Sequence, residues 1–330
     1  VREQVAGLVS AQAAEEIIFV SSATEALNLT LLGGLRPGDH LIISGMEHNA
    51  VARTAQHLKA NGVEVDVARA DGRGLIDPID IARLIKPSTR MVALIHASNV
   101  TGGIMPVKEV GLICRERGVR YLVDASQTAG LIPINVNELN ADFVAFPGHK
   151  GLYGPPGIGV LYVRSGTELT PIKFGGTGSM SESLEMPEFT PDRYEAGTLN
   201  TVGIAGLGAG IRFVMETGME RIAAHERDLT RQLLHGLSRI NGIKLYGPFE
   251  PEDRVGVVSF NLEGISSSEA GLMLDQVYGI AVRVGLHCAP LAHQTLGTLA
   301  DGSIRVSFSY FNTPEEVDQL LWALREMSDK

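Results

Sequence analysis

Between Glu16 and Val163 the chain repeats one pattern, a short run rich in Ile and Val followed by a longer stretch of helical period. That alternation commits a chain to an α/β domain, because each apolar strand must be covered and a parallel neighbour is reached only through a crossover of helical length. The expected strands are 16–21, 40–44, 63–68, 91–97, 121–125, 143–147 and 157–163. Several are apolar on both faces, as in a mostly parallel sheet covered on both sides. Turn residues at Pro37-Gly38-Asp39, Asn61-Gly62 and Asp71-Gly72 punctuate the pattern. After Val163 the texture changes, and residues 164–195 are rich in Gly, Ser, Thr and Pro, which predicts a long irregular excursion. Helical period returns over 204–240 with a break at Gly218. Strands at 255–262, 281–285 and 303–311 then alternate with helices, the last opened by Thr313 as cap and Pro314 at the first helical position. The fold expected is a large domain, residues 1–215, built on a mostly parallel seven-stranded sheet, plus a smaller α+β C-terminal domain, residues 216–330.

Composition narrows the function. Acidic residues outnumber basic ones, 38 to 28, for a formal net charge of −10, and no Lys/Arg-rich run breaks the excess, which argues against nucleic acid and anionic membranes as partners. Only Cys114 and Cys288 are present, too few in 330 residues for a disulfide framework, so a reducing cytoplasm is the expected compartment. No apolar run is long enough to span a bilayer. Residues 1–9 already read as amphipathic helix with no cap before them, which suggests an upstream segment missing from this chain.

The residues with chemistry cluster at the ends of strands, where ligands of open α/β sheets collect. Lys150 follows the buried run 143–147 and enters the loop Gly148-His149-Lys150-Gly151; alone, it is compatible with an ordinary surface lysine. Asp124 ends the preceding strand, 26 positions earlier, where a carboxylate could equally cap the next helix. Together they are the pair a pyridoxal cofactor needs, an amine to form the imine and a carboxylate to keep the pyridine nitrogen protonated. Ser22 and Thr24 open a helix after the first strand, as caps or as an anion site. His48, after the second strand, is either a packed imidazole or a ring for a cofactor to stack on. Gly203-x-x-Gly206-x-Gly208 follows no strand, and 175–179 lacks a Lys-Ser/Thr pair, so neither is a nucleotide-binding loop.

Motifs in order along the chain add a further reading. ATEALN (23–28), EHNA (47–50), SNVTG (98–102), VDASQT (123–128), GHKGLYGPPGIG (148–159), YEAGTLNT (194–201), RVGLHCAP (283–290) and IRVSFSYFNT (304–313) resemble the aminotransferase class V family of fold type I pyridoxal phosphate enzymes, in its cysteine desulfurase and selenocysteine lyase branch. The resemblance implies Lys150 as the imine lysine and Asp124 as partner of the pyridine nitrogen. Gln127 would bond the phenolic oxygen, His48 would stack on the ring with a catalytic part, and Thr24 and His149 would hold the phosphate. Asn99 would lie beside cofactor and substrate, Arg305 would grip the substrate α-carboxylate, and Thr198 would reach the phosphate of a neighbouring subunit in a homodimer. Cys288 matches the sulfur-accepting nucleophile of the branch, flanked by Arg283 and His287 as candidate cations, while Cys114 reads as core. No metal is implied.

The reaction implied is removal of sulfur from L-cysteine to give L-alanine and a persulfide on Cys288, with a sulfur-acceptor protein and iron–sulfur cluster assembly downstream. Selenocysteine lyase activity on L-selenocysteine, a class V transaminase or β-lyase, and a poorly active sulfur-carrier scaffold are the alternatives. Two departures stand out. Pro147 occupies a place where many relatives have a phosphate-binding serine, so that contact is either missing or supplied by Ser21 or Ser22, and Gly151 is an extra residue after the lysine.

Overall fold

The computed structural model describes residues 1–328. In chain order the elements are α1 (Arg2–Val9), β1 (Ile17–Val20), α2 (Ala23–Gly34), β2 (His40–Ser44), α3 (Asn49–Ala60), β3 (Glu64–Ala68), α4 (Pro78–Leu84), β4 (Thr89–Ile95), α5 (Val107–Arg117), β5 (Arg120–Asp124), β6 (Phe143–Pro147) and β7 (Gly159–Val163). After the excursion come α6 (Thr201–Thr217), α7 (Met219–Leu237), β8 (Ile243–Tyr246), β9 (Val257–Leu262), α8 (Ser267–Tyr278), β10 (Arg283–Gly285), α9 (Pro290–Leu296), β11 (Ser303–Ser307) and α10 (Pro314–Ser328).

All seven strands expected in the first half form one sheet, ordered β1-β7-β6-β5-β4-β2-β3. The pairs of β3, β2, β4, β5 and β6 are parallel, and β7 alone runs against its neighbours β6 and β1. Both faces are buried, as the doubly apolar strands require. On β2 the alternation is explicit, since Leu41 and Ile43 pack with Leu27, Leu31, Val51 and Leu58 of α2 and α3. Ile42 points the other way, into a core with Val5, Val110, Cys114 and Leu207 from α1, α5 and α6. A third core, from Leu229 to Met327, lies where α7, α8 and α10 cover a four-stranded antiparallel sheet ordered β10-β11-β9-β8. Among the described residues no helix is long and apolar enough to cross a membrane.

The excursion carries neither helix nor strand between β7 and α6, as its composition predicts. Two elements escaped the sequence reading. Strand β8 is a four-residue edge whose alternation, Ile243, Lys244, Leu245, is very short, and α9 begins directly after the cysteine loop. The strand expected over 303–311 leaves the sheet after Ser307, and the rest of that run walls a cavity.

Candidate active site

The parallel strands β2, β4, β5 and β6 all end on one edge, and their carboxyl ends meet the start of α2 across a cavity of about 680 Å³. Tight backbone approach sets this edge. Gly159 of β7 lies so close to α2 that a Cβ there would sit 2.4 Å from the Ser22 carbonyl carbon, so only glycine lets the strand pass the helix start. Ser22 caps α2, its hydroxyl accepting from the Glu25 N–H, and both Ser22 and Thr24 line the cavity; Ser21 does not, its hydroxyl being spent on Glu25. Of the two serines considered beside Pro147, Ser22 is therefore the one at the site.

Asp124, the last residue of β5, is buried, and one oxygen accepts from the Ser126 N–H at 2.9 Å. Lys150 follows β6 and is exposed to the cavity, whose walls partly desolvate its amine. That desolvation holds its ammonium below the ordinary lysine pKa, with Arg305 and Arg283 adding to the effect and Asp124 opposing it. Gln127 and His149 line the same cavity, and burial also lowers the His149 pKa. His48 caps α3 with Nδ1, which accepts from the Ala50 N–H at 3.0 Å. Its pKa is lowered, first by desolvation, and because Nδ1 accepts, the neutral ring carries its proton on Nε2.

The opposite wall comes from the smaller sheet. Arg305 on β11 donates from Nη1 to the Asn99 carbonyl at 2.9 Å; its Nε is buried without a partner, and no carboxylate of the described residues pairs with it. The Asn99 side chain donates from Nδ2 to the His287 carbonyl at 2.7 Å and leaves Oδ1 unpartnered. His287 and Cys288 both adopt left-handed backbone, with φ of 49° and 59°. The turn aims the exposed thiol of Cys288 at the cavity, with Arg283 Nη2 3.6 Å from Sγ. His287 does not serve as the second cation expected beside the thiol. Its ring turns inward against Ser303, and burial, then Arg305 and His293, push its pKa down to about 3. Thr198 is the one expected site residue outside the cavity, on an exposed stretch before α6. Cys114 is buried in α5, its thiol pushed up to about 12 by burial.

The sequence reading missed two buried carboxyls. Glu47, in the turn carrying His48, accepts from the Ser44 hydroxyl and the Ile95 N–H, and burial raises its pKa to about 8. Glu226 on α7 lines the cavity, with its pKa raised to about 8 by burial alone. Tyr153, Phe308 and Phe311 also line it.

The aminotransferase class-V family model matches residues 1–320. The chain belongs to that family. A relative from Methanothermobacter thermautotrophicus, described as a probable cysteine desulfurase, is 39% identical over 334 residues, covering 99% of this chain and 82% of the relative. A cysteine desulfurase of Yersinia pseudotuberculosis is 40% identical over 339 residues, covering 99% and 81%. The apo structure of a cysteine desulfurase from Thermococcus onnurineus superposes with a TM-score of 0.92 at 35% identity, and an Escherichia coli cysteine desulfurase in an S-sulfonic acid form with 0.90 at 31%, each covering 99% of this chain and 82% of its counterpart. Pyridoxal phosphate is the cofactor of this family. The cavity fits it, offering a desolvated amine, a buried carboxylate on the adjacent strand, a hydroxylated helix start and a guanidinium with no carboxylate.

Proposed function

We propose that this protein is a pyridoxal phosphate-dependent cysteine desulfurase that converts L-cysteine to L-alanine and takes the sulfur as a persulfide on Cys288. One observation carries the reading. Lys150, Asp124, Arg305 and Cys288, drawn from both sheets, line a single cavity. Lys150 would hold the cofactor through its amine, with Asp124 on the pyridine nitrogen, Gln127 on the phenolic oxygen, and His48 against the ring. Thr24 and His149, with the Ser22 end of α2, would hold the phosphate. When bound, the cofactor supplies an electron sink for the pair released at the substrate Cα.

The protein's own groups do the rest. Desolvation favours a neutral Lys150 amine, the form that takes the Cα proton and later returns it. Arg305, lacking a protein carboxylate, receives the substrate carboxylate through its planar fork. Cys288 Sγ attacks the substrate sulfur, an S–S bond forms and the Cβ–S bond breaks with its electron pair passing to Cβ, while Arg283 Nη2 stands 3.6 Å from Sγ. His48 is a donor beside the ring that can return a proton to the carbon losing sulfur. We take residues 1–215 and 216–330 as the two domains, a homodimer completed by Thr198 as the working unit, and a cytoplasmic sulfur-acceptor protein feeding iron–sulfur cluster assembly as the outlet.

Lys150→Ala tests this reading. The variant should lose both L-cysteine turnover and the visible absorbance of the lysine-bound cofactor. Wild-type absorbance and activity in that variant would overturn the reading.

A further inference from the structure

At the amino edge of the large sheet, where β4 and β5 begin, lies a cavity of about 430 Å³, and none of the residues lining it also lines the cofactor cavity. Helix α2 and strand β5 each reach from one cavity to the other. Ser22 and Thr24 at the start of α2 and Asp124 at the end of β5 line the cofactor cavity, whereas Gly34 at the end of α2 and Arg120 at the start of β5 line this one. Four arginines converge here: Arg36 after α2, Arg90 on β4, Arg120 on β5 and Arg193 on the excursion. Asp39 and Glu168 are the only carboxylates in the lining, so four guanidiniums against two carboxylates leave it at a formal charge of +2, in a chain whose net charge is −10.

Like charges gathered this closely repel unless an anion answers them. Among the described residues none of the four arginines makes an ion pair. Arg36 donates from Nη2 to the Thr170 hydroxyl at 2.7 Å, and Asp39 accepts from the Arg36 backbone N–H rather than from its guanidinium. Arg120 reaches the Glu168 carbonyl, not its carboxylate, at 3.3 Å; desolvation lowers its pKa, and Arg90 lowers it further. Arg193 has a buried Nε without a partner. The wall that carries these groups is closely built. A Cβ on Gly33 would stand 2.4 Å from the Thr170 carbonyl oxygen, so glycine lets residues 168–170 close onto the end of α2. The Tyr194 hydroxyl, next to Arg193, accepts from the Leu169 N–H at 3.0 Å and ties the excursion to the same stretch.

We propose that this cavity binds a compact phosphate anion, an inorganic diphosphate or a small phosphate ester, through Arg36, Arg90, Arg120 and Arg193. Guanidinium forks match phosphate oxygens through paired hydrogen bonds and stay charged at any physiological pH. Leu169 is the one apolar side chain of the lining, too little surface to seat a nucleoside base or an apolar peptide, while the excess positive charge suits a dianion. What calls for a ligand is the unpaired charge on this chain's own strand starts and loops rather than the open space. The site lies across the sheet from Lys150 and rests on none of the roles assigned there.

The test is calorimetric titration of the cofactor-loaded protein with inorganic pyrophosphate and, separately, with glycerol phosphate, at fixed ionic strength. Saturable binding of either supports the proposal, and the tighter of the two names the source of the phosphate. Arg120→Gln and Arg193→Gln should each weaken that binding at least about tenfold, the loss of one charge-assisted hydrogen bond. Arg90→Gln, at an exposed position, should weaken it too and keeps the test decisive if a more buried variant fails to fold, which melting temperatures check. Arg83→Gln on α4 removes an exposed positive charge outside the cavity and should leave the affinity within about twofold of the wild type, since solvent screens it. Bound anion should also raise the melting temperature of the wild type more than that of Arg120→Gln. Binding lost in Thr24→Ala but kept in Arg120→Gln would put the anion in the cofactor cavity and overturn the proposal. Equal weakening by Arg83→Gln and Arg120→Gln, or no saturable binding at millimolar anion, would overturn it as well.

Discussion

Two consecutive left-handed residues, His287 and Cys288, hold the thiol at the cavity. For residues with a Cβ that backbone costs about 1–2 kcal/mol each, or about 2–4 kcal/mol for the pair. Four bonds offset it. Asn99 Nδ2 donates to the His287 carbonyl at 2.7 Å, the Asn49 N–H to the Cys288 carbonyl at 2.7 Å, the Ala289 N–H to the Leu286 carbonyl at 2.8 Å, and the His287 ring to Ser303 at 3.1 Å. Asn99→Ala removes the first and leaves a buried carbonyl unsatisfied, a loss of about 1–3 kcal/mol. If that loss is felt as local opening, the opening constant rises about 5- to 150-fold. Native-state hydrogen exchange reads it directly, because the Ala289 and Asn49 amides are both donors to this turn. Both should exchange faster by that factor, while amides in β4 and β5 stay unchanged. Wild-type exchange at both positions would refute the claim that Asn99 braces the cysteine turn.

Cys288→Ser should abolish desulfuration of L-cysteine while keeping a measurable share of activity on L-selenocysteine, whose selenium leaves carbon more readily, with cofactor absorbance unchanged. Paired assays of sulfide, selenide and alanine check this. Thr198→Ala should weaken cofactor retention by about 1.5–3 kcal/mol, one charge-assisted hydrogen bond, in a protein that sediments as a dimer; a fully active monomer would refute the shared site. Glu47 has a folded pKa of about 8, above its unfolded value, so the folded state binds more protons and Glu47 costs stability as the pH rises from the unfolded pKa through about 8. Glu47→Gln should therefore gain on the wild type in thermal stability as the pH is raised from about 6 to about 9. A constant gap across that range would mean Glu47 is ionised in the fold.

Much of this site is legible in the sequence, because its residues sit at places that strand and helix patterns mark. Asp124 and Lys150 each follow an apolar run, and Thr24 and His48 each open a helix, so locating the elements locates the groups. What is not legible depends on three-dimensional approach. His287 sits beside Cys288 in sequence and reads as a cation for the thiol, but the left-handed turn swings the imidazole into the core, where desolvation keeps it neutral. The helical period over 204–240 does not mark Glu226, whose burial beside Gly256 comes from tertiary packing. The run after Ser307 keeps strand-like composition while leaving the sheet, since Phe308 and Phe311 are needed as cavity wall rather than as ladder. Strand β8 is a four-residue edge, and the alternation Ile243, Lys244, Leu245 is too brief to announce it.

The central claim is that sulfur passes from L-cysteine to Cys288. Peptide mass spectrometry of the cofactor-loaded protein after a stoichiometric pulse of L-cysteine, without added reductant, measures it directly. The account predicts one extra sulfur on the peptide carrying Cys288, none on Cys114, whose buried thiol is held up to about 12, and one alanine for each sulfur retained. Alanine formed with Cys288 unmodified, or extra sulfur on Cys114, would contradict it.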